Sequence, residues 1–346
     1  MIRVLLAAGC TAAGLSACAT APAAMNMEAA SLAPPHAPIV EGRAVPVVAH
    51  SDHAMLLASD DPALAANKRL AYDLWRSVLN AGHVEVADQL LTEDYIQHNP
   101  TAPTGREAFK AIFSSFVPRR ETIPEQVEDP LVTIVAAGDF VVMAFVDERE
   151  EADGSGTYTT THFDLFRVEN GRIAEHWDSA MRPAGLDVPS VEDGGPLPVT
   201  GVEGVAQHDL LQSDDPELAA NKRLVFDLWR HTVEAGREEV ADLYLDPIYI
   251  QHNPNAATGR EGFREYMSNR PDRPIEIAYR TPIVAIVAEG DLVAQAIAEE
   301  RPIPGGDGEL YSLTHFDLFR IEDGRIIEHW DNAGRGELPP DLQAQQ

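Results

Sequence analysis

The hydrophobic positions of the chain follow a helical spacing first and a strand spacing afterwards. Asp61-Pro62 is typical of a helix start, and apolar residues then recur every three or four positions from Leu70 to Val78, up to Gly82. Two shorter helices are predicted over 84–91 and 105–116, on either side of a short strand over 95–98. Residues 131–137, 140–148, 157–168 and 173–180 then alternate as strands do, with turn residues between them. This order predicts an α+β fold, in which three helices pack on a curved antiparallel sheet.

The whole pattern occurs twice. Asn67 aligns with Asn221, 154 positions later, and residues 60–180 match residues 214–333 with only short insertions. Residues 183–212 between the copies are rich in proline, glycine and acidic residues, which is typical of a linker. Two copies of this length indicate two domains and not a solenoid. The predicted domains are therefore 59–182 and 213–336, followed by a tail over 337–346.

The last two strands of each copy form a predicted hairpin with an unusual set of polar side chains. Asn170-Gly171 accepts the positive φ of a tight turn, so the flanking runs are expected to pair as antiparallel strands. Because strand side chains alternate between the two faces of a sheet, four polar residues share one face: His162, Asp164, His176 and Asp178. The second copy has the same set in the same register: His315, Asp317, His329 and Asp331. A hydrophobic core does not use two histidines and two carboxylates, so this face is predicted to line a pocket.

The charge and the cysteine content of the chain exclude several classes of function. The 346 residues carry a formal net charge of −30 at pH 7, which argues against nucleic-acid binding and against a polybasic membrane surface. Such an acidic chain indicates a heavily hydrated, soluble protein surface. The two cysteines, Cys10 and Cys18, both lie near the start of the chain. The predicted domains therefore contain no disulfide, no thiolate nucleophile and no cysteine-based metal site.

The first residues are typical of an export signal. Arg3 precedes the apolar run 4–15, which is too short to span a bilayer. The next residues, Leu15-Ser16-Ala17-Cys18, resemble the lipobox of bacterial lipoproteins. The resemblance implies cleavage after residue 17, lipidation of Cys18 and a position on the periplasmic face of the outer membrane. Ordinary secretion of a soluble periplasmic or extracellular protein is the alternative. Residues 1–17 are thus the predicted signal peptide, and the Ala- and Pro-rich residues 18–58 are an expected tether without a core.

The order of elements and the last hairpin resemble the SnoaL-like branch of the NTF2-like superfamily. The resemblance covers about 120 residues of each copy, and it is strongest in the hairpin that ends at Asp178, with support from residues 95–100. It implies a cone-shaped fold with the pocket between sheet and helices, and it implies no metal and no cofactor. This fold serves polyketide cyclases, isomerases, dehydratases, epoxide hydrolases and plain binding proteins, so it constrains the architecture more than the reaction.

The resemblance also implies roles for the acidic residues. In SnoaL-type cyclases an aspartate on the last strand acts as acid/base, and its position corresponds by register to Asp178 and Asp331. In the related ketosteroid isomerases a protonated aspartate on the preceding strand helps to bind the oxyanion, and that position corresponds to Asp164 and Asp317. The neighbouring positions that are histidines in this chain differ in the cyclases.

Aldol or isomerase chemistry needs a base for a proton α to a carbonyl and a donor for the enolate oxygen. We assign Asp178 as the acid/base, His176 as polariser or relay, and His162 with Asp164 as enolate-side donors. The second copy has the same assignments, so both pockets are expected to be competent: Asp331, His329, His315 and Asp317. Substrate-binding residues are expected at the end of the first strand, where either of two neighbours could point inward: His98 or Asn99, and His252 or Asn253.

Other interpretations of the polar cluster remain open. It could be a satisfied hydrogen-bond network in a small-molecule binding protein without turnover. The His-x-Asp sequences could supply metal ligands, but same-face strand residues form a flat row instead of a tetrahedron, so no metal is expected. A serine hydrolase is disfavoured, because neither copy has a Gly-x-Ser-x-Gly elbow. The expected ligand is a small hydrophobic carbonyl compound. The tandem domains are expected to pair through their convex sheet faces as a pseudo-dimer, or whole chains to form a homodimer.

Overall fold

The computed structural model describes residues 31–337. The predicted signal peptide, the lipidation site Cys18 and most of the tail lie outside the described residues. The first half contains these elements: α1 His53–Leu57, α2 Pro62–Leu74, α3 Ala87–Leu90, β1 Leu91–Gln97, α4 Arg106–Phe116, β2 Leu131–Ala137, β3 Phe140–Glu150, β4 Thr157–Glu169 and β5 Arg172–Asp178. The second half contains these: α5 Pro216–Leu228, β6 Leu245–Gln251, α6 Arg260–Met267, β7 Ile283–Glu289, β8 Leu292–Pro302, β9 Leu310–Glu322 and β10 Arg325–Asp331.

The first long helix of the domain begins and ends for local reasons. The Asp61 carboxylate accepts a hydrogen bond from the Ala63 backbone N–H (2.8 Å), and Pro62 occupies the first turn. After α2 the chain continues as a π-helical turn, Trp75–Leu79. Gly82 then adopts a φ of +66°, and a Cβ atom there would lie 2.8 Å from the Val117 carbonyl oxygen. The glycine is therefore required both by its backbone conformation and by the close approach of the chain after α4.

Each half forms a five-stranded sheet whose order differs from a simple meander. The orders are β1-β5-β4-β3-β2 and β6-β10-β9-β8-β7. The four later strands of each half pair antiparallel as expected, but β1 runs parallel to β5 and β6 runs parallel to β10. The expectation of a purely antiparallel sheet is thus wrong for the first strand. A strand followed by a helix and a long loop is not restricted to hairpin pairing, so it can join the far edge of the sheet.

The last hairpin has the expected register. Asn170 and Gly171 adopt φ angles of 52° and 73°, as a two-residue hairpin turn requires. Asp164 lies directly opposite Asp178, and Phe166 lies opposite His176. The polar residues of β4 and β5 therefore share the face of the sheet that the helices cover.

The opposite faces of the two sheets pack against each other. Phe163 stacks on Phe316 with 5.3 Å between ring centroids, at the centre of an apolar cluster shared by both halves. Trp177 and Trp330 are buried in the same cluster. The helix-covered faces form two separate cores, one in each half. The two domains thus share one sheet-to-sheet core, and each keeps its own helix-covered interior.

The residues before the first domain pack more closely than their composition predicts. Residues 18–58 are expected to form a coreless tether, but Val45 and Val47 are buried. The Val45 N–H donates to the Gln251 carbonyl of the second domain (2.8 Å), and the His50 N–H donates to the Leu131 carbonyl of the first (2.8 Å). This segment therefore crosses from one domain to the other.

The linker makes the equivalent crossing in the opposite direction. The Leu197 N–H donates to the Gln97 carbonyl of the first domain (2.9 Å), and the Val202 N–H donates to the Ile283 carbonyl of the second (2.8 Å). Each crossing begins at the end of one domain's first strand and reaches the edge strand of the other domain. Among residues 31–337, no helix has the length and apolar character needed to cross a membrane.

Candidate functional site

The first domain contains a cavity of about 460 Å³ between its sheet and helices. Its polar end includes seven side chains: Tyr95, Gln97, Asn99, His162, Asp164, His176 and Asp178. The remaining wall is largely apolar: Leu74, Leu79, Phe109, Ile112, Phe113, Phe116, Phe166 and Leu186. The structure thus brings all four hairpin residues into one cavity with an apolar remainder, as small-molecule sites require.

Asp164 lies at the centre of the polar end. Its Oδ1 is 2.8 Å from His176 Nε2, and its Oδ2 accepts a hydrogen bond from the Trp75 indole N–H (2.9 Å). Burial by itself would raise the pKa of Asp164, but the nearby imidazoles of His162 and His176 outweigh this and hold the pKa well below its usual range. Asp164 is therefore an ionised acceptor, and the protonated-donor role implied for it by the isomerases does not fit. The donors at this position are the two histidines.

His176 is oriented by a glutamine that the sequence interpretation missed. Its Nδ1 lies 2.9 Å from Gln97 Oε1, and the same oxygen accepts the Asn99 backbone N–H (2.8 Å). Because this oxygen accepts both bonds, the hydrogen lies on His176 Nδ1. The other ring nitrogen faces the Asp164 carboxylate, so both nitrogens of the ring face acceptors. Tyr95, Gln97 and Asn99 follow the period of two expected for a strand face, which is the signal that could have identified Gln97.

His162 lies beside the same carboxylate and is more accessible. Its Nε2 is 3.6 Å from Asp164 Oδ1, its Nδ1 is 3.2 Å from Ser179 Oγ, and 33% of its side chain is exposed. Burial lowers the pKa of His162, but Asp164 together with Asp178 and Asp147 raises it to about 9. A protonated imidazole is therefore present at neutral pH, on the side of the cluster that a ligand can reach.

Asp178 is held differently from Asp164. Its Oδ2 accepts a hydrogen bond from the Asn99 side-chain amide (2.5 Å), and its Oδ1 accepts the Ala180 backbone N–H (3.0 Å). These partners are an amide and a backbone group, not a histidine. The carboxylate is therefore fixed in position without an imidazolium bound to it, which suits a group that must accept a proton from a ligand.

His98 does not line the cavity. Its ring stacks on Trp177 with 4.8 Å between centroids, on the opposite face of the sheet. Its Nε2 lies 2.8 Å from Glu175 Oε1, and its Nδ1 lies 3.0 Å from the Leu197 carbonyl of the linker. Strand parity explains this placement, because Gln97 and Asn99 already occupy the inward positions. Of the two residues left open by the sequence, Asn99 is therefore the one that reaches the cavity.

His252 has the same outward position in the second domain. It stacks on Trp330 (4.8 Å) and contacts Glu328 (2.9 Å) and the Val45 carbonyl (2.8 Å). Asn253 is its inward neighbour. We leave both outward histidines out of the proposed site, and we assign them to fastening the two crossing segments.

The second domain repeats the polar contacts almost unchanged. His329 Nε2 lies 2.9 Å from Asp317 Oδ1, and His329 Nδ1 lies 2.9 Å from Gln251 Oε1. The Asn253 amide donates to Asp331 Oδ2 (2.6 Å). Burial raises the pKa of Asp317, but His315 and His329 hold it well below the usual range.

The second domain also has a histidine with a raised pKa, and it has a different donor to its central aspartate. Burial lowers the pKa of His315, yet Asp317 raises it to about 9, as for its counterpart. Burial raises the pKa of Asp331. The indole donor of the first domain is replaced by Gln295, whose amide donates to Asp317 Oδ2 (2.9 Å).

The free space beside the acidic residues differs greatly between the two domains. The space beside Asp331 is only about 60 Å³, because it is lined by Tyr266, Met267 and Arg270. The aligned residues of the first domain, 154 positions earlier, are Ile112, Phe113 and Phe116. A second cavity, of about 580 Å³, includes Trp229 and His315 in its wall but neither acidic residue of the cluster. Both aspartates of the cluster thus line a large cavity in the first domain, whereas in the second domain only His315 of the cluster lines one, which differs from the expectation of two competent pockets.

The polar cluster could also hold a metal ion. Ligand atoms of Asp164, His176 and Asp178 all lie within 4.8 Å of one another, and the second domain has the same arrangement. A metal would have to replace the proton between His176 and Asp164, since that nitrogen and oxygen already share a hydrogen bond. The expectation of no metal stays a prediction.

Comparisons with known proteins match each half of the chain separately. A family model described as SnoaL-like domain matches residues 72–176 and again residues 226–329. No curated protein matches the chain. Similar solved structures include a protein classed as a SnoaL-like polyketide cyclase from Jannaschia sp. CCS1, with 17% identity, 35% of this chain and 91% of that chain covered, and a TM-score of 0.26.

Two further structures are similar over one half. One is classed as a polyketide cyclase from Acidithiobacillus ferrooxidans, with 19% identity, 39% and 99% coverage and a TM-score of 0.27. The other is an LEH-like epoxide hydrolase from M. tuberculosis, with 18% identity, 34% and 84% coverage and a TM-score of 0.26. Each of these chains is matched over most of its own length by about one third of this chain.

Proposed function

The chain belongs to the SnoaL-like domain family through both of its halves, and from this premise we propose that its first domain is a cofactor-independent lyase or isomerase. Its substrate is a small, largely apolar carbonyl compound. The observation that carries this proposal is the cavity of about 460 Å³, which joins Asp178 and the Asp164–histidine cluster to an otherwise apolar wall. A largely apolar cavity with a fixed carboxylate and a charged donor is the arrangement that proton abstraction next to a carbonyl needs.

The proposed steps use three side chains. Asp178 removes the proton α to the carbonyl, and the charge that develops on the carbonyl oxygen is stabilised by the N–H of His162. Asp164 keeps that imidazole protonated and in place. The protonated Asp178 then returns its proton to the product, either on a neighbouring carbon in an isomerisation or on the alkoxide after the enolate attacks a second carbonyl. No redox partner is required for either reaction.

The second domain has a different role in this proposal. It keeps the same hydrogen bonds but has little room beside Asp331. We infer that it serves as the folding partner of the first domain, to which it contributes half of the shared sheet-to-sheet core. Turnover is assigned to the first domain alone.

Deuterium exchange tests the proposal without knowledge of the substrate. The purified protein is incubated in D2O with a panel of cyclic ketones and diketones, and loss of the α-proton signal is followed by NMR. We expect exchange above the buffer rate for at least one compound, and a loss of roughly hundredfold or more in Asp178→Asn. Asp331→Asn is the matched control and should change the rate less than twofold. Equal exchange in wild type and Asp178→Asn would contradict the proposal.

A non-catalytic binding protein is the second candidate. Both carboxylates of the first domain already have hydrogen-bond partners within the protein, as a satisfied network would. This candidate predicts that no compound of the panel exchanges faster than in buffer. Untargeted mass spectrometry of the purified protein would then still detect a retained small molecule.

Export as a lipoprotein is the remaining part of the proposal, and it rests on the sequence around Cys18. We expect incorporation of a labelled fatty acid in a bacterial host, and its complete loss in Cys18→Ser. A protein that is released soluble into the periplasm and carries no label would support ordinary secretion instead.

A further inference from the structure

The two domains offer an internal comparison of an open site and a filled site. The walls beside the polar cluster have nearly the same geometry in both. The Tyr95 and Phe109 rings meet edge to face at 5.6 Å in the first domain, and Tyr249 and Phe263 do so at 5.8 Å in the second. The difference in free volume therefore comes from other wall positions, and positions on the helices α4 and α6 are among them.

Tyr266 is partly buried against the core of the second domain. It extends from α6 into the small space that Asn253 and Asp331 also line. The aligned residue of the first domain is Ile112, whose side chain has no ring and no hydroxyl. The amide of Asn99, the counterpart of Asn253, consequently faces open cavity in the first domain.

Arg270 closes the second domain above Tyr266. Its side chain is buried, and its Nη1 donates to the Val233 carbonyl (2.8 Å), which lies on the opposite wall of the same small space. The aligned residue of the first domain is Phe116, which is 62% exposed at the edge of the cavity. The first domain therefore lacks both the inner side chain and the cover.

We propose that Tyr266 acts as a tethered ligand of the second domain, and that the first domain binds a free molecule of the same chemistry. That molecule is a planar ring compound with a hydroxyl or enol oxygen, which lies between the aromatic wall and Asn99. By the same reasoning, the second domain should bind such a molecule when Tyr266 and Arg270 are replaced by smaller or outward-facing side chains. The inference rests on the proposed function only in taking the cavity as the ligand site, because binding is measured without turnover.

The chemistry of the wall supports a ring with one oxygen. The edge-to-face pair of tyrosine and phenylalanine is a favourable surface for a further aromatic or conjugated ring. A buried oxygen needs a partner, and the Asn99 amide has one N–H engaged with Asp178, so a second N–H is available to a ligand. A cavity of about 460 Å³ also accommodates a molecule larger than a tyrosine ring.

Binding capacity tests the proposal, with 2-naphthol as the probe in equilibrium dialysis of the whole chain. The closing variant Ile112→Tyr/Phe116→Arg gives the first domain the residues of the second, and it should bind one equivalent less than wild type. The opening variant Tyr266→Ile/Arg270→Phe makes the reverse exchange and should bind one equivalent more. These are differences between variants, so binding elsewhere, for example in the cavity behind Trp229, does not affect them.

The combined four-residue exchange is the check on folding. It should restore the wild-type capacity, now in the second domain, and circular dichroism should match the wild type. If the opening variant gains no equivalent while it remains folded, or if the closing variant loses none, the proposal is overturned.

A probe without oxygen tests the chemical class. Naphthalene should bind the first domain roughly three- to tenfold more weakly than 2-naphthol, which is the value of one net hydrogen bond. Asn99→Ala should bring the two affinities together. Equal affinities in the wild type would overturn the assignment of a hydroxylated ring. Asp178→Asn separates this inference from the proposed function: it should abolish exchange and keep 2-naphthol binding, so failure of one does not imply failure of the other.

Discussion

Replacement of His162 by glutamine should remove the fall of the exchange rate at alkaline pH. His162 has a pKa of about 9 because Asp164 and its acidic neighbours outweigh the effect of burial. At pH 8 such a histidine is about nine-tenths protonated, whereas a free histidine with a pKa of about 6.5 is only about one-thirtieth protonated. If its charged N–H stabilises the enolate, activity persists through pH 8 and falls about tenfold for each further pH unit above about 9.

The assay is the pH profile of deuterium exchange, corrected for the buffer rate. In His162→Gln the rate should be roughly a hundredfold lower, as for loss of one oxyanion donor, and the fall above pH 9 should disappear. His315→Gln is the control, because His315 has the same pKa of about 9 in the filled domain. The reasoning would be refuted if the wild-type exchange rate already fell above about pH 6.5, or if the fall above about pH 9 were unchanged in His162→Gln.

The same pKa has a consequence for stability, with a definite sign. The folded-state pKa of His162 is above its unfolded value of about 6.5, so its contribution to the free energy of unfolding is complete below pH 6.5. That contribution is lost as the pH rises through about 9. His162→Gln should therefore be less stable than wild type at pH 6 and approach it at pH 10, in urea titrations at both pH values.

Other side chains give simpler predictions. Lys68 is fully buried and pairs with Glu289 of the other domain at 2.5 Å, so Lys68→Met should lower the free energy of unfolding by about 3 kcal/mol in urea titrations. Lys222 contacts backbone carbonyls instead, and Lys222→Met should cost only about 1 kcal/mol. Trp75→Phe removes the indole donor to Asp164 and should slow exchange several-fold with little change in substrate affinity. Chelator treatment should leave exchange unchanged, whereas added zinc should inhibit it reversibly by displacing the proton on the histidine–aspartate pair.

The fold was predictable because the local signals agree with one another. The prediction of two tandem SnoaL-like α+β domains is confirmed, since helical spacing, turn residues and strand alternation all indicate the same order of elements. Parity also places the four hairpin residues on the helix-covered face. The parallel pairing of β1 was not predictable in this way, because a strand that follows no hairpin turn has no local signal for its partner.

The crossing segments were missed for a related reason. The composition of residues 18–58 indicates a tether, and nothing local reveals that Val45 and Val47 are buried. The order of this segment depends on His252 and the Gln251 carbonyl, about 200 residues away in the sequence, and that of the linker depends on His98 and the Gln97 carbonyl, about 100 residues away. The outward position of His98 and His252 could have been inferred from the alternation of side chains along the first strand, because each lies between two inward-facing residues.

The filled second domain explains why an identical motif does not by itself indicate an identical function. Its histidine–aspartate–glutamine bonds match those of the first domain although almost no free space remains beside Asp331. The network must therefore have a structural value of its own, which is to join the end of the first strand to the last hairpin. The residues that decide access, Ile112 and Tyr266, lie on a helix outside the motif. Asp178→Asn and Asp331→Asn alter equivalent hydrogen bonds and should lower stability by similar amounts, so a difference between them in exchange isolates the chemistry from the structure.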